Sequence, residues 1–235
     1  MDIIKQIGKI PGVKPILKKL FKGTYEKRLK RIHQERSETY LTYGLEAIKR
    51  FDECMRKNGF RYTLAFGSML GAIREHGFIK HDLDIDTWMF IEDDSEKLIS
   101  ELEKYDIHLL YHYSIDNDRL GKEYTFEYKG CHIDIFFIFP AVDKYPYCND
   151  FIWNEGMNKH ERLPRRIEMP YSRGIKMVRF ETLELPVPEN AEELCVFRYG
   201  KDFMTPNPSW NYKNAKESLV EWGEMFEKTT HEKLS

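Results

Sequence analysis

"FGSMLGAIREHGFIKHDLDIDTWMF", residues 66–90, is the stretch on which the fold turns. It places Gly67 and Ser68 ahead of a short amphipathic segment, then alternates Asp82, Asp84 and Asp86 with apolar or small neighbours. Successive side chains of a strand point to opposite faces, so Asp84 and Asp86 leave "DIDTWMFI" on one side, roughly 6 to 7 Å apart. Two carboxylates held that close repel each other unless a cation relieves them. The solvent face of an edge strand alternates in the same way, so the pair needs support from the rest of the chain.

Working outward, "RYTLAF" predicts a strand entering Gly67-Ser68, and Met69 to His76 a short helix closed by Gly77. Upstream, Tyr25 to Lys57 favours helix, with Leu41, Leu45, Ile48 and Met55 near helical spacing and Asn58-Gly59 as its stop. Pro11 and Pro15 exclude one continuous helix through the first twenty residues. Downstream, Asp93 with Glu96 resembles a capping box opening a helix through Glu103. "IHLLYHYS", "KEYTFEY" and "CHIDIFFIF" follow as consecutive antiparallel strands, separated by turns at 116–118 and 129–130. Beyond Pro140, prolines break the chain into short pieces, with late helices expected over Asn190 to Tyr199 and Asn214 to Lys228. Strands and helices mix without a regular β-α-β rhythm, which predicts an α+β fold with helices packed on a mixed sheet.

The chain has 235 residues and is 41% hydrophobic, enough for one sizeable core. Residues 1–36 hold eleven Lys or Arg against three acids, a net +8, while the whole chain is −2. The expected organisation is therefore a basic arm over 1–36 and a catalytic domain over 37–235. The arm suits an anionic membrane surface, although its apolar residues could equally pack on the body. The same charge would attract nucleic acid, a less favoured partner. The longest run without a polar residue, Ile135 to Val142, is far short of the roughly 20 residues of a membrane span, and no secretory signal is evident, so a cytoplasmic location is expected. Cys54, Cys131, Cys148 and Cys195 form no C-x-x-C pair and read as buried or incidental thiols.

Asp134 lies inside the apolar strand "HIDIFFIF", where an ionised group is costly to bury without a partner. If that strand sits beside the one carrying Asp84 and Asp86, three carboxylates meet and suit a hard divalent ion, Mg²⁺ or Mn²⁺. Gly67-Ser68 at a strand-to-helix turn would present backbone N–H groups and a hydroxyl to an anionic oxygen, with Arg74 and Lys80 adding positive charge. Gly-Ser is also an ordinary helix cap. His76, His81 and His132 lack metal-ligand spacing and read as core or surface histidines.

Together, Gly67-Ser68, "LGAIREHGFI", "HDLDID", "HIDIF" and the later "YGKDFMTP" (199–206) resemble the LicD family, whose relatives include fukutin and fukutin-related protein. The resemblance implies a nucleotidyltransferase fold like the polymerase-β palm. It also implies transfer of a phospho-alcohol, such as phosphocholine, glycerol phosphate or ribitol phosphate, from a CDP-linked donor to a glycan hydroxyl. Carried over, Asp84 and Asp86 would bind the metals, Asp134 would complete the site and could activate the acceptor, and Gly67 and Ser68 would hold donor phosphate. Arg198, Tyr199 and Lys201, in and beside the tail box, are candidate donor or acceptor contacts. The family has Trp-Asp-Asp ahead of the final acidic pair, where this chain has His81, Asp82 and Leu83.

Two other functions fit the same residues: a nucleotidyltransferase that releases pyrophosphate, and a non-catalytic glycan- or lipid-binding protein. For a choline donor, Tyr145, Tyr147, Trp153 and Trp210 are candidate cage residues, with gap-filling as the preferred reading. Arg165, Arg166, Arg173 and Lys176 could grip an anionic glycan or face solvent.

Overall fold

A computed structural model describes residues 13–152, 162–207, 209–210 and 219–221. Helix α1 (Val13–Asn58) is a single element of 46 residues. It starts before Tyr25 because Pro15 falls in its first turn, where a missing N–H breaks no intrahelical bond. Its stripe of Tyr40, Ala47, Ile48, Phe51, Cys54 and Met55 is buried. Gly59 (φ +70°) ends it in the left-handed conformation open to glycine. Residues 1–12 of the basic arm lie outside the described residues.

There follow β1 (Thr63–Leu64), α2 (Phe66–Arg74), β2 (Asp84–Phe90), α3 (Leu98–Glu103), β3 (His108–Ile115), β4 (Gly121–Tyr128) and β5 (Cys131–Ile138). These five strands form one sheet in the order β1-β2-β5-β4-β3. β2 and β5 run parallel. The other neighbours are antiparallel, including the expected run from β3 to β5. The second half adds β6 (Tyr147–Ile152), β7 (Leu163–Glu168), β8 (Ile175–Phe180), β9 (Leu183–Pro188), α4 (Ala191–Tyr199) and β10 (Leu219–Glu221). β10-β7-β6 make a three-stranded sheet and β8-β9 a ribbon. The architecture is α+β, a central mixed sheet with helices against it.

One sheet face carries Ile133, Ile135 and Phe137, all fully buried. Helix α1 packs there, and Tyr128 Oη donates to Glu46 Oε1 at 2.6 Å. Each such side chain contributes roughly 1.5–3 kcal/mol by leaving water, so this face holds the fold together. The opposite face carries the acids, and β6 lies over part of it: the Phe151 ring stacks on Tyr113 with centroids 5.2 Å apart. Cys54, Cys131, Cys148 and Cys195 are free and buried. Among the described residues no helix is long and apolar enough to cross a membrane.

Four local expectations are corrected. The strand in "RYTLAF" is confined to Thr63–Leu64, and α2 begins at Phe66 rather than Met69 and ends at Arg74. Ala65 N–H donates to Asp86 O at 2.9 Å, after which Phe66 turns the chain at φ +37°, so Gly67 and Ser68 lie inside the first turn. The capping box does not form, because α3 starts after Lys97 with no side-chain cap. Asp93 instead accepts from Arg173 at 3.3 Å. Asp94 accepts from Ser95 N–H at 2.9 Å and Lys122 Nζ at 2.6 Å. Leu219–Glu221, expected to be helical, pair with β7 as a strand, and the rest of 214–228 lies outside the described residues. The short pieces expected beyond Pro140 include the strands β6 to β9.

Candidate active site

The β2–β5 register sets Asp86 directly opposite Asp134, and Asp84 opposite His132. Adjacent strands lie about 4.8 Å apart, so Asp84, Asp86 and Asp134 emerge close together on the face turned away from α1. On β4, Thr125 stands opposite Asp134 and Glu123 opposite Phe136, which puts Glu123 on the acid face as well. Glu123 is 7% exposed. Its alternation in "KEYTFEY" looks like a solvent face, but β6 lies over β4 and the Phe151 backbone reaches Glu123 there.

Helix α2 is fastened to these acids. Ser68 Oγ accepts the Asp86 N–H at 3.0 Å, joining the helix start to the centre of the site. Gly67 packs against Asp82: a Cβ there would lie 2.7 Å from Asp82 Oδ2, so glycine lets the carboxylate sit against the helix start without a shift. Arg74 Nη1 donates to Phe203 O at 3.1 Å and its Nε to Glu75 at 2.8 Å, tying α2 to the tail segment. Lys80 and Lys201 are exposed. Tyr199 packs on Trp210 with centroids 4.8 Å apart. Arg198 is 8% exposed. Its guanidinium lies 4.2 Å from the Phe66 ring centre.

The electrostatics are those of anions short of counter-charge. Burial, then Asp84, pushes Asp134 up to about 7, while a Thr125 hydrogen bond and Arg36 pull the other way. Burial and Asp84 likewise push Asp82 up to about 7 against Arg74. Asp86 is driven well above the carboxylate range by burial and by Asp84, Asp134 and Asp82, with Arg198 opposing. Burial also raises Asp84, and Arg36 counters it. Arg36 Nη2 lies 3.2 Å from Asp84 Oδ2 and 3.3 Å from His132 Nδ1. Burial and then Arg36 lower His132 to about 4, so its ring is neutral at pH 7. Nothing in the sequence pointed to Arg36, which reaches the site from 48 residues away. Glu123 is raised strongly by burial, Asp134, Asp150 and Asp86.

Several polar atoms here have no hydrogen-bond partner among the described residues: Asp134 Oδ1, Glu123 Oε2, and Nε and Nη1 of Arg198. Buried orphans gathered at one place mark a site made for a ligand more readily than a core. Among the described residues no three His, Cys, Asp or Glu side chains stand as a ready cage for a metal ion. The donor chemistry nevertheless fits a hard divalent cation: oxygen ligands only, on one face, with one free oxygen on Asp134. Asp84 would have to exchange its Arg36 partner to join.

Other expected contacts are dispersed. Tyr145 packs on Phe197, Tyr147 on Phe139 and Trp210 on Tyr199, three separate pairs, so these residues form no common cage. Trp153 lies outside the described residues. Arg165, Arg166, Arg173 and Lys176 are ion-paired to Asp150, Glu168, Glu92 with Asp93, and Glu192.

This acid-bearing β2–β5 pair falls within residues 59–190, which match the family described as LicD/FKTN/FKRP, nucleotidyltransferase domain. The chain belongs to the LicD family. It is 22% identical over 192 residues to the mouse (Mus musculus) ribitol-5-phosphate transferase FKTN, covering 77% of this chain and 39% of that protein. The Macaca fascicularis and Homo sapiens proteins of the same name are each 22% identical over 191 residues, with the same coverage. The chain thus spans about two-fifths of the length of these curated relatives. The LicD match includes Gly67, Ser68, Arg74, Lys80 and the acids, whereas Arg36, Arg198, Tyr199 and Lys201 lie outside it.

Proposed function

We propose that this LicD protein is a divalent-metal-dependent phosphotransferase. It moves a phospho-alcohol (ribitol phosphate, glycerol phosphate or phosphocholine) or a sugar phosphate from a nucleotide-diphosphate donor, CDP-linked in the first instance, to a hydroxyl of a cell-surface glycan. The observation that carries the proposal is the direct opposition of Asp86 and Asp134 on parallel neighbours, with Asp84 two residues away on the same face. The names of the FKTN relatives support the transferred group, and the β2–β5 pair is compatible with a nucleotidyltransferase palm.

Asp84, Asp86 and Asp134 would hold Mg²⁺ or Mn²⁺, which supplies neutralisation of the donor diphosphate. Asp134, whose Oδ1 has no partner among the described residues, is also the candidate general base. It takes the proton of the acceptor hydroxyl, whose oxygen forms a bond to the transferred phosphorus while the bond to the nucleoside monophosphate breaks. Ser68 and Gly67 hold the helix start and the acids in mutual position, and the α2 N-terminus faces donor phosphate. The basic arm suits a lipid-linked acceptor at the cytoplasmic face of a membrane. Removing residues 1–22 should weaken sedimentation with anionic liposomes, and unchanged sedimentation would discard that element.

Product analysis tests the reaction. The protein with Mg²⁺, CDP-ribitol, CDP-glycerol or CDP-choline, and an acceptor glycan should release CMP, and Asp86→Asn should abolish the release. Pyrophosphate formed from CTP, with no CMP from any CDP-alcohol, would assign nucleotidyl transfer instead. Glycan binding with no metal-dependent nucleotide chemistry would leave a binding module.

A further inference from the structure

Arg198 poses a problem that the carboxylates do not solve. Its side chain is withdrawn from water, yet Nε and Nη1 have no partner. A buried charged donor left unmatched is costly, so an arrangement that keeps one has a use for it. Packing fixes its place. The guanidinium lies 4.2 Å from the centre of the Phe66 ring. Phe66 is itself held at φ +37° and meets Trp88 and Phe136 edge-on, each with centroids 5.0 Å apart. A left-handed aromatic residue is strained and persists where its surroundings impose it. Phe66 also opens α2, a helix of nine residues whose first N–H groups favour anions.

On one side of Arg198 is Asp86, on which its charge acts. On another are Tyr199 and Trp210, whose ring centres lie 5.9 and 5.8 Å from the guanidinium carbon. Trp210 is 36% exposed and so keeps part of its surface free. Arg198 therefore joins an acid that its charge reaches to a ring pair, Tyr199 and Trp210, of which Trp210 is part-exposed. A guanidinium with free N–H groups pairs with a phosphate oxygen, and an exposed indole stacks on a flat heterocycle.

We propose that Arg198 and Trp210 form the nucleotide subsite of the transferase, and this rests on the function proposed above. Arg198 takes a phosphate oxygen on the nucleoside side of the donor, the part that departs as nucleoside monophosphate. Trp210 stacks on the base. Arg198 is thus a binding residue for the leaving group, supplied by α4 from beyond the LicD match.

Calorimetry with Mn²⁺ and three probes, CDP, UDP and inorganic pyrophosphate, tests it on the full chain. Arg198→Met should weaken CDP and UDP roughly tenfold to a hundredfold, and Arg198→Lys, which keeps the charge without the fork, by a smaller factor. Trp210→Ala should weaken both nucleotides at least roughly fivefold and leave pyrophosphate within about twofold. Melting temperature separates binding from packing. Arg198→Met should keep a cooperative melting transition, so that its loss of CDP binding is not loss of the fold, whereas an arginine kept only for packing would lower the melting temperature and leave CDP binding intact. CDP affinity within about twofold of wild type in both Arg198 variants, or equal loss of CDP and pyrophosphate in Trp210→Ala, overturns the subsite alone. No nucleotide binding by the wild-type protein overturns both the subsite and the function beneath it.

Discussion

Replacing Asp134 by Asn in the metal-free protein should stabilise it. Burial and Asp84 hold this carboxyl at about 7, against roughly 3.9 in an unfolded chain, and that difference corresponds to about 4 kcal/mol once the group is forced to ionise. The folded value lies above the unfolded one, so Asp134 contributes its full stability below about pH 4 and loses it as pH rises through about 7. At pH 8 the loss is nearly complete. Asparagine has the same shape and no charge, but its amide must find partners where Asp134 Oδ1 has none. About half of the ceiling should remain, about 2 kcal/mol or roughly 4 to 8 °C in melting temperature. Scanning calorimetry at pH 8 in EDTA reads this directly, and a second scan with excess MgCl₂ should raise the wild type and leave Asp134→Asn unmoved. A variant that melts below wild type in EDTA, or keeps the Mg²⁺ response, would refute the reasoning.

Arg36→Ala should tighten Mn²⁺ binding without nucleotide by roughly two- to fivefold, since Asp84 no longer has to leave an ion pair, and unchanged affinity by Mn²⁺ titration would count against that exchange. Ser68→Ala leaves the buried Asp86 N–H without its acceptor and should cost about 1–3 kcal/mol in urea unfolding, so an equally stable variant would contradict the clamp. Away from the site, burial would raise Asp118, but hydrogen bonds with His112 and Ser114 and the charge of Lys122 outweigh it and hold it at about 2. This depressed value lends about 2 kcal/mol that is present above roughly pH 4 and fades as pH falls through about 2. Asp118→Asn should therefore cost about that much at pH 7 and less at pH 3, and a pH-independent cost would remove the linkage.

The acid face was legible because a strand has a fixed two-residue period: Asp84 and Asp86 had to share a side, and the apolar flanks of Asp134 gave away its burial. That β5 lies parallel beside β2 depends on tertiary structure, and the LicD resemblance stood in for it. The start of α2 was misplaced because no rule assigns a left-handed φ to an aromatic residue, and Phe66 adopts one under Arg198. The capping box failed because Asp93 and Asp94 serve distant cations, Arg173 and Lys122. Prolines concealed β9: Pro186 and Pro188 share one phase of a two-stranded ribbon, so their missing N–H groups interrupt no bond to β8. Glu123 and Arg36 were missed for one reason, that their surroundings come from elements far away in the chain.

The most direct test of the central claim is an anomalous difference map from crystals grown with MnCl₂ and CDP. A manganese peak within about 2.2 Å of carboxylate oxygens of both Asp86 and Asp134 is the expected result. Ordered CDP with manganese bound elsewhere, or with none between these two strands, would contradict it.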